Sequence, residues 1–219
     1  MKIGIIGAGF IGRTVAKLAV AAGHDAMVSN SRGPKSLSSM PSGIGCKIGT
    51  VEEAARFGDI VLIAVPFTAY TEIAPTLLAG KIVMDANNYY PERDGNIPLL
   101  DHYETTTSQM LAGHFVDSHV VKTFNAILAT DLDTHGRPAG TGDRRALPIA
   151  GDDADSKKIV ADLLDQLGFD SVDAGQLKDS WRFERAKPAY CVRLDRKNLV
   201  EALAAAERDV EVEPGSWRH

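Results

Sequence analysis

Lys2-Ile-Gly-Ile-Ile-Gly-Ala-Gly-Phe-Ile-Gly-Arg13 is the stretch whose reading decides the fold. Lys2 to Ile6 is an apolar run of strand length. Gly7, Gly9 and Gly12 follow in G-x-G-x-x-G spacing, with Phe10 and Ile11 opening a helical pattern that runs to Ala22. Gly23 stands where a helix C-terminal cap is expected. A second apolar run, residues 26–28, completes a βαβ unit. Gly7 permits the tight turn out of the strand, Gly9 lets a pyrophosphate approach the backbone, and Gly12 lets the helix pack close to the sheet. Free N–H groups and the positive dipole end at the helix start suit a phosphate without any charged side chain. A glycine triplet alone is a weak signal; between a strand and a helix it is the dinucleotide-binding arrangement.

The end of the second strand selects the dinucleotide. An NAD site places Asp or Glu there to accept from the ribose hydroxyls. This chain has Ser29, Asn30, Ser31 and Arg32, with Lys35 just beyond. No carboxylate stands at that position to repel a 2′-phosphate. Ser31 donates well to phosphate oxygens, and Arg32 pairs with phosphate or stacks on adenine. The expected cofactor is therefore NADP (NADPH). The plainer alternative makes Arg32 and Lys35 a solvated loop.

The 219 residues are 44% hydrophobic and 24% charged, with a formal net charge of −5. That balance gives no support to binding of nucleic acid or an anionic membrane. Cys46 and Cys191 lie far apart and form neither a C-x-x-C pair nor a disulfide framework. No apolar run approaches the ~20 residues that span a bilayer. The chain opens directly on strand and glycine loop, so no signal peptide is expected and the cytoplasm is the expected location.

Along the chain, residues 36–43 read as a loop after a short helical turn, and residues 46–49 as a short strand. Thr50 with Glu53 makes a capping box, and Gly58 closes that helix. Asp59-Ile-Val-Leu-Ile-Ala-Val65 reads as a strand buried on both faces, stopped by Pro66. Ligands of doubly wound sheets sit beyond the carboxyl ends of the strands. That rule places Ala64, Val65 and Pro66 beside the cofactor. Residues 71–78 read as a helix and residues 81–85 as a strand. Asn87 and Asn88 follow it, suited either to a carboxamide or ribose contact or to a turn. Residues 108–112 read as a helix, and His119-Val-Val-Lys-Thr-Phe124 as a strand ending in Asn125. The polar residues 127–141 read as a mobile loop over the site. Residues 146–150 form another strand. A helix follows with Ile159, Leu163, Leu164 and Leu167 on its apolar face, then a strand over 170–173. A terminal helix over 194–208 carries Leu194, Leu199, Val200 and Leu203. The expected fold is α/β, a Rossmann-type, doubly wound, mostly parallel sheet. Residues 1–145 form the dinucleotide-binding part, and residues 146–219 a small C-terminal cap fused to it.

Standard catalytic sets are missing from the sequence. There is no metal-ligand cluster, no Gly-x-Ser-x-Gly elbow and no Tyr-x-x-x-Lys pair, so no catalytic residue is assigned and no metal is expected. Among the six histidines, including His219, His119 suits a buried strand. His135, in the polar segment, is the better candidate to meet a substrate, against the plainer reading of a solvated side chain. Carbonyl reduction needs a proton donor for the forming alkoxide, whereas hydride exchange between two redox cofactors needs mainly position. The residues favour the latter.

At this point Gly7-x-Gly9-x-x-Gly12, Asn30-Ser31-Arg32, Asp59-Ile-Val-Leu-Ile-Ala-Val-Pro66, Asp85-Ala-Asn87 and Val121-Lys-Thr-Phe-Asn125 become recognisable together. In that order they resemble the NADPH-dependent coenzyme F420 reductases (F420:NADP oxidoreductases). Leu147-Pro-Ile-Ala-Gly-Asp-Asp153, Gly168-Phe-Asp-Ser-Val-Asp-Ala-Gly175 and Ser180-Trp-Arg-Phe183 are similar to a bacterial branch of that family. The reductase domain of six-transmembrane metalloreductases, which passes electrons to a flavin, is similar too. The resemblance implies hydride transfer between NADPH C4 and C5 of a deazaflavin, coenzyme F420, or a flavin-like acceptor. It implies that Ser31 and Arg32 hold the 2′-phosphate, and that residues 64–66 and Asn87 border ribose and nicotinamide. The acceptor would lie against the C-terminal segment, with Asn125, His135, Trp181, Arg182 and Tyr190 as candidates to touch it. An NADPH-dependent imine or carbonyl reductase is the alternative, and a non-enzymatic NADP-binding redox sensor a second one. The expected partner is a small-molecule redox acceptor. A homodimer is allowed on the general frequency of two-fold assemblies alone.

Overall fold

Short apolar runs bounded by glycine or proline become strands because both faces of each find a helical layer to pack against. The computed structural model describes residues 1–213; His219 and the end of the expected 146–219 segment lie outside the described residues. Strands β1 (Lys2–Ile6), β2 (Asp25–Ser29), β3 (Lys47–Ile48), β4 (Ile60–Ile63), β5 (Ile82–Asp85) and β6 (His119–Lys122) are parallel. β7 (Ala146–Gly151) runs antiparallel to β6, and β8 (Asp170–Asp173) runs parallel to β7. Among the described residues they make one eight-stranded sheet in the order β3-β2-β1-β4-β5-β6-β7-β8. The order reverses between β1 and β4, which is the switch point where α/β sheets open a crevice.

The helices are α1 (Phe10–Ala21), α2 (Met40–Ile44), α3 (Val51–Phe57), α4 (Pro91–Asp94), α5 (Pro98–Asp101), α6 (Thr107–His114), α7 (Ala129–Thr134), α8 (Ala154–Gln166) and α9 (Arg196–Ala204). Period-two alternation divides the strand residues between two cores. Ile3, Ile5, Ile60, Leu62, Met84 and Val121 pack with Val15 and Ala19 of α1, Leu132 of α7 and Leu163 of α8. Ile6, Val61, Ile63, Val83 and Val120 pack on the other face with Ala55 of α3, Phe67, Tyr70, and Leu111 of α6. A third cluster joins β7 and β8 to Phe183, Tyr190, Leu199 and Leu203. No helix among the described residues is long and apolar enough to cross a membrane.

The doubly wound, mostly parallel sheet matches expectation, and so does the Thr50–Glu53 capping box ahead of α3. Four local expectations are corrected. Residues 71–78 are not an α-helix but parts of two 3-10 turns, Phe67–Glu72 and Pro75–Leu77, because Pro75 lacks the N–H that a continuous helix requires. Residues 36–43 are not simple loop: Met40 opens α2 and is buried together with Leu37. Residues 127–141 are not a mobile lid. They contain α7, whose Leu132 is fully buried and whose Asp133 pairs with Lys17 of α1 at 2.7 Å. On α8 and α9, Ile159 and Val200 face solvent, and Val160 takes the core position adjoining Ile159.

Leu132 supplies a direct check on the corrected segment. Leu132→Ala should destabilise the protein by about 2–5 kcal/mol, the range for emptying a closed core site, in urea denaturation. Ile159→Ala, at a side chain 39% exposed, should change stability little. Equal small effects would mean that residues 127–141 carry no core.

Candidate functional site

The crevice is built first from backbone. Gly7 adopts φ +118° and its N–H donates to the Ser29 carbonyl at 3.0 Å, tying the turn to the end of β2. A Cβ at Gly7 would collide with the Ala64 carbonyl, and one at Gly12 with the Gly7 carbonyl. The turn, the helix and the end of β4 are therefore in backbone contact. Gly9 is different: nothing lies within 4 Å of the position its Cβ would take. It caps α1 with no side-chain bond, and no acidic residue stands in the first turn. The dipole end of a twelve-residue helix thus faces open space.

That space is a cleft of about 740 Å³, within the ~300–1,000 Å³ usual for ligand sites. Gly7 and Gly9 form one wall, Asn30, Ser31 and Arg32 a second, and Ala64, Val65 and Pro66 a third. Glu52 and Glu72 also line it. The Asn30 Oδ1 accepts from the Arg32 N–H at 3.1 Å, while its Nδ2 donates to Ser36 Oγ at 2.9 Å, so Asn30 shapes the loop that carries Ser31 and Arg32. Phe10 is 85% exposed, and Ile11 packs against the core. Lys35 is exposed and does not line the cleft.

Behind this cleft lies a polar core that the sequence reading did not single out. The last residues of five parallel strands, Ser29, Ile6, Ile63, Asp85 and Lys122, fall in one register row. Asp85 and Lys122 are fully buried and 3.3 Å apart. Lys122 Nζ also donates to the Asn87 carbonyl and to Thr107 Oγ1, both at 2.8 Å. Asp85 accepts from Ser108 Oγ at 2.5 Å and from the Asn87 N–H at 2.9 Å. Asn87, nearly buried, accepts through Oδ1 from the Val65 N–H at 3.1 Å, and its Nδ2 has no partner among the described residues. Lys122 therefore reaches Val65, a cleft-lining residue, through Asn87. The signal in the sequence was two adjacent buried strands ending in opposite charges.

A second cavity of about 260 Å³ opens on the other side of this polar core. Thr107, Glu184, Tyr89 and Trp181 line it. The Arg182 guanidinium lies over Trp181 at 5.3 Å and donates to the Leu203 carbonyl at 3.5 Å. Asn125 is buried and donates to Asn88 Oδ1 and the Phe183 carbonyl, bracing the two chain segments rather than lining either cavity. Tyr190 is buried and shares a 2.6 Å hydrogen bond with the Tyr90 hydroxyl. Burial pushes the Cys46 thiol up and the Cys191 thiol up to about 11, away from nucleophilic chemistry at neutral pH.

Comparison with known proteins bears on this geometry. Residues 2–89 match the family model described as NADP oxidoreductase, coenzyme F420-dependent. The F420-dependent NADP reductase of Methanocaldococcus jannaschii is 27% identical over 143 residues, covering 63% of this chain and 62% of that protein. The metalloreductase STEAP3 of Rattus norvegicus is 30% identical over 185 residues, covering 84% of this chain. The chain spans only 36–40% of the length of that metalloreductase and of two STEAP2 metalloreductases it also matches. Among solved structures, a hypothetical protein of Sinorhizobium meliloti is 32% identical with a TM-score of 0.77, covering 90% of this chain and 95% of that one. A proposed F420-dependent NADP-reductase of Arthrobacter sp. FB24 is 29% identical with a TM-score of 0.70, covering 82% of this chain and 87% of that one.

His135 lines neither cavity. It caps α7, and its Nδ1 lies 2.9 Å from Arg145 Nη1, which also donates to Asp131 at 2.8 Å. Arginine only donates, so Nδ1 must accept and the ring must stay neutral there. Burial, and then the Arg145 charge, hold its pKa below 6.5 despite Asp131. The unfolded chain then binds more protons below pH 6.5, so stability contributed by neutral His135 is lost as pH falls from 6.5 through the depressed folded value. In urea denaturation, His135→Gln should lose less stability than the wild type over that acid window. Parallel acid profiles for the two proteins would sink this account.

Proposed function

Because this chain belongs to the family of coenzyme F420-dependent NADP oxidoreductases, we propose that it transfers a hydride between NADPH and a deazaflavin or flavin-like acceptor. The observation that carries the NADP half is the open space over Gly9 at an uncapped helix start, in one cleft with Ser31 and Arg32. The α1 N–H groups take the pyrophosphate. Ser31 and Arg32 take the 2′-phosphate, in a loop whose shape Asn30 sets. Val65 and Pro66 give the nicotinamide a flat apolar wall, and Asn87 fixes that wall by holding the Val65 N–H. NADPH supplies the hydride; the chain supplies position and excludes water. A hydride passes only between atoms about 3–3.5 Å apart, so the acceptor in this reading enters the same cleft and lays its ring over the nicotinamide beside Val65 and Pro66.

Arg32→Ala should weaken NADPH by about 1.5–3 kcal/mol, the range for a hydrogen bond to a charged group, and leave NADH binding nearly unchanged. Equal losses for both nucleotides would remove Arg32 from the 2′-phosphate site. The acceptor is tested by anaerobic mixing of the protein and NADPH with coenzyme F420, with FMN in parallel, following the oxidised acceptor's absorbance. Rapid bleaching of either is the expected result. NADPH binding without bleaching of either would leave the nucleotide site standing and overturn the acceptor.

A further inference from the structure

The cleft that holds Gly9, Ser31 and Arg32 also holds two carboxylates, Glu52 and Glu72. Acidic lining weakens a cleft for an anionic ligand unless it meets a part of that ligand that donates hydrogen bonds. Its place follows from the sheet. β3 pairs with β2 through Met27–Lys47 and Val28–Ile48, and the Gly49 N–H donates to the Val28 carbonyl at 3.1 Å. Val51 therefore comes up beside the end of β2, where Asn30, Ser31 and Arg32 leave the sheet. The two 3-10 turns after β4 return toward the same corner, and Ile73 and Leu77 belong with Val51 to one apolar cluster. All three line the cleft. They make an apolar floor, with Glu52 next to Val51 in the chain and Glu72 next to Ile73.

The two carboxylates are not equivalent. The Glu52 N–H, and after it the Thr50 hydroxyl, hold the Glu52 carboxyl below the usual carboxylate range, so that group is already served by its own helix start. Glu72 ends the turn Phe67–Glu72, and its side chain makes no hydrogen bond or ion pair among the described residues. It is exposed, and both its oxygens are free to accept.

NADP carries its 2′-phosphate and its adenine on neighbouring carbons of one ribose. With the phosphate at Ser31 and Arg32, the base lies on their side of the cleft, where the floor of Val51, Ile73 and Leu77 stands. A carboxylate only accepts, and the donor that adenine offers is its 6-amino group. We propose that Glu72 is a specificity residue of the nucleotide cleft, whose carboxylate accepts from the 6-amino group of an adenine lying on Val51, Ile73 and Leu77. The inference rests on the NADP reading above and names the residue that selects the base. A purine with a carbonyl oxygen at position 6 turns an acceptor toward an acceptor and is disfavoured.

The test compares NADPH with its hypoxanthine analogue, in which a carbonyl oxygen replaces the 6-amino group, by titrating dihydronicotinamide fluorescence on the wild-type protein and on Glu72→Gln. Binding alone is read, so no acceptor is needed. Wild type should bind NADPH about ten-fold more tightly than the analogue, the factor that one hydrogen bond kept or lost implies. Glutamine both accepts and donates, so Glu72→Gln should bring that ratio below about two-fold, with the preference for NADPH over NADH as in the wild type. Equal affinities in the wild type, or an undiminished ratio in the variant, overturns the assignment of Glu72 while the NADP reading stands. The wild-type comparison needs no variant, so misfolding of Glu72→Gln does not mask the answer. Failure of both NADPH and the analogue to bind the wild type overturns the NADP reading and this assignment together.

Discussion

The site depends on one buried ion pair. Asp85 and Lys122 end neighbouring parallel strands, share a register row and see no solvent. A charge removed from water is tolerated only when paired and hydrogen-bonded. Here the ammonium has three acceptors and the carboxylate two further donors, so neither is left to solvent. Those bonds run outward in two directions. Asn87 leads to Val65 and the first cleft, and Thr107 leads to Glu184 and the second cavity. Deleting one partner of such a pair typically costs about 3–5 kcal/mol, and here it would release both walls at once. Such a pair also explains why charged residues close two strands whose other buried residues are apolar.

The two cavities are made by different means. At the first cleft the work is done by backbone: a positive φ at Gly7, close approach of Gly7 to Ala64 and of Gly12 to Gly7, and the bare start of α1. Side chains enter at the end of β2, where Ser31 and Arg32 stand in place of a carboxylate. On the other side the lining residues are drawn from the β5–α6 connection, the start of α6 and the segment after β8. Antiparallel β7 makes this possible. It returns the chain along β6 and delivers residues 177–187 to the carboxyl end of the sheet, opposite Thr107.

This difference decides what could be read in advance. β1, α1, β4 and the capping box of α3 were legible because glycine geometry, β-branched runs and caps are local signals. The lid expected over 127–141 was not there, since its polar composition hid a single core leucine, Leu132, whose burial depends on α1 and the sheet. Residues 71–78 break as a helix at Pro75, which is itself a local signal. Ile159 and Val160 are adjacent apolar residues on α8, and only packing chooses between them. Lys122, Thr107 and Glu184 come from three separated stretches, and no spacing rule connects them. Asn125 and His135 carried plausible chemistry by residue type, yet the fold spends them on bracing.

The family match over residues 2–89 follows the same division. It covers the backbone-built cleft and ends at Tyr89, the first residue in sequence that lines the second cavity. A dinucleotide imposes the same demands on any fold that holds it: a turn, a helix start and a small-residue wall. An acceptor imposes demands set by its own ring edges and charges, and a dinucleotide fingerprint does not fix these. Metalloreductases and an F420-dependent reductase can therefore both resemble this chain at 27–30% identity without agreeing on an acceptor.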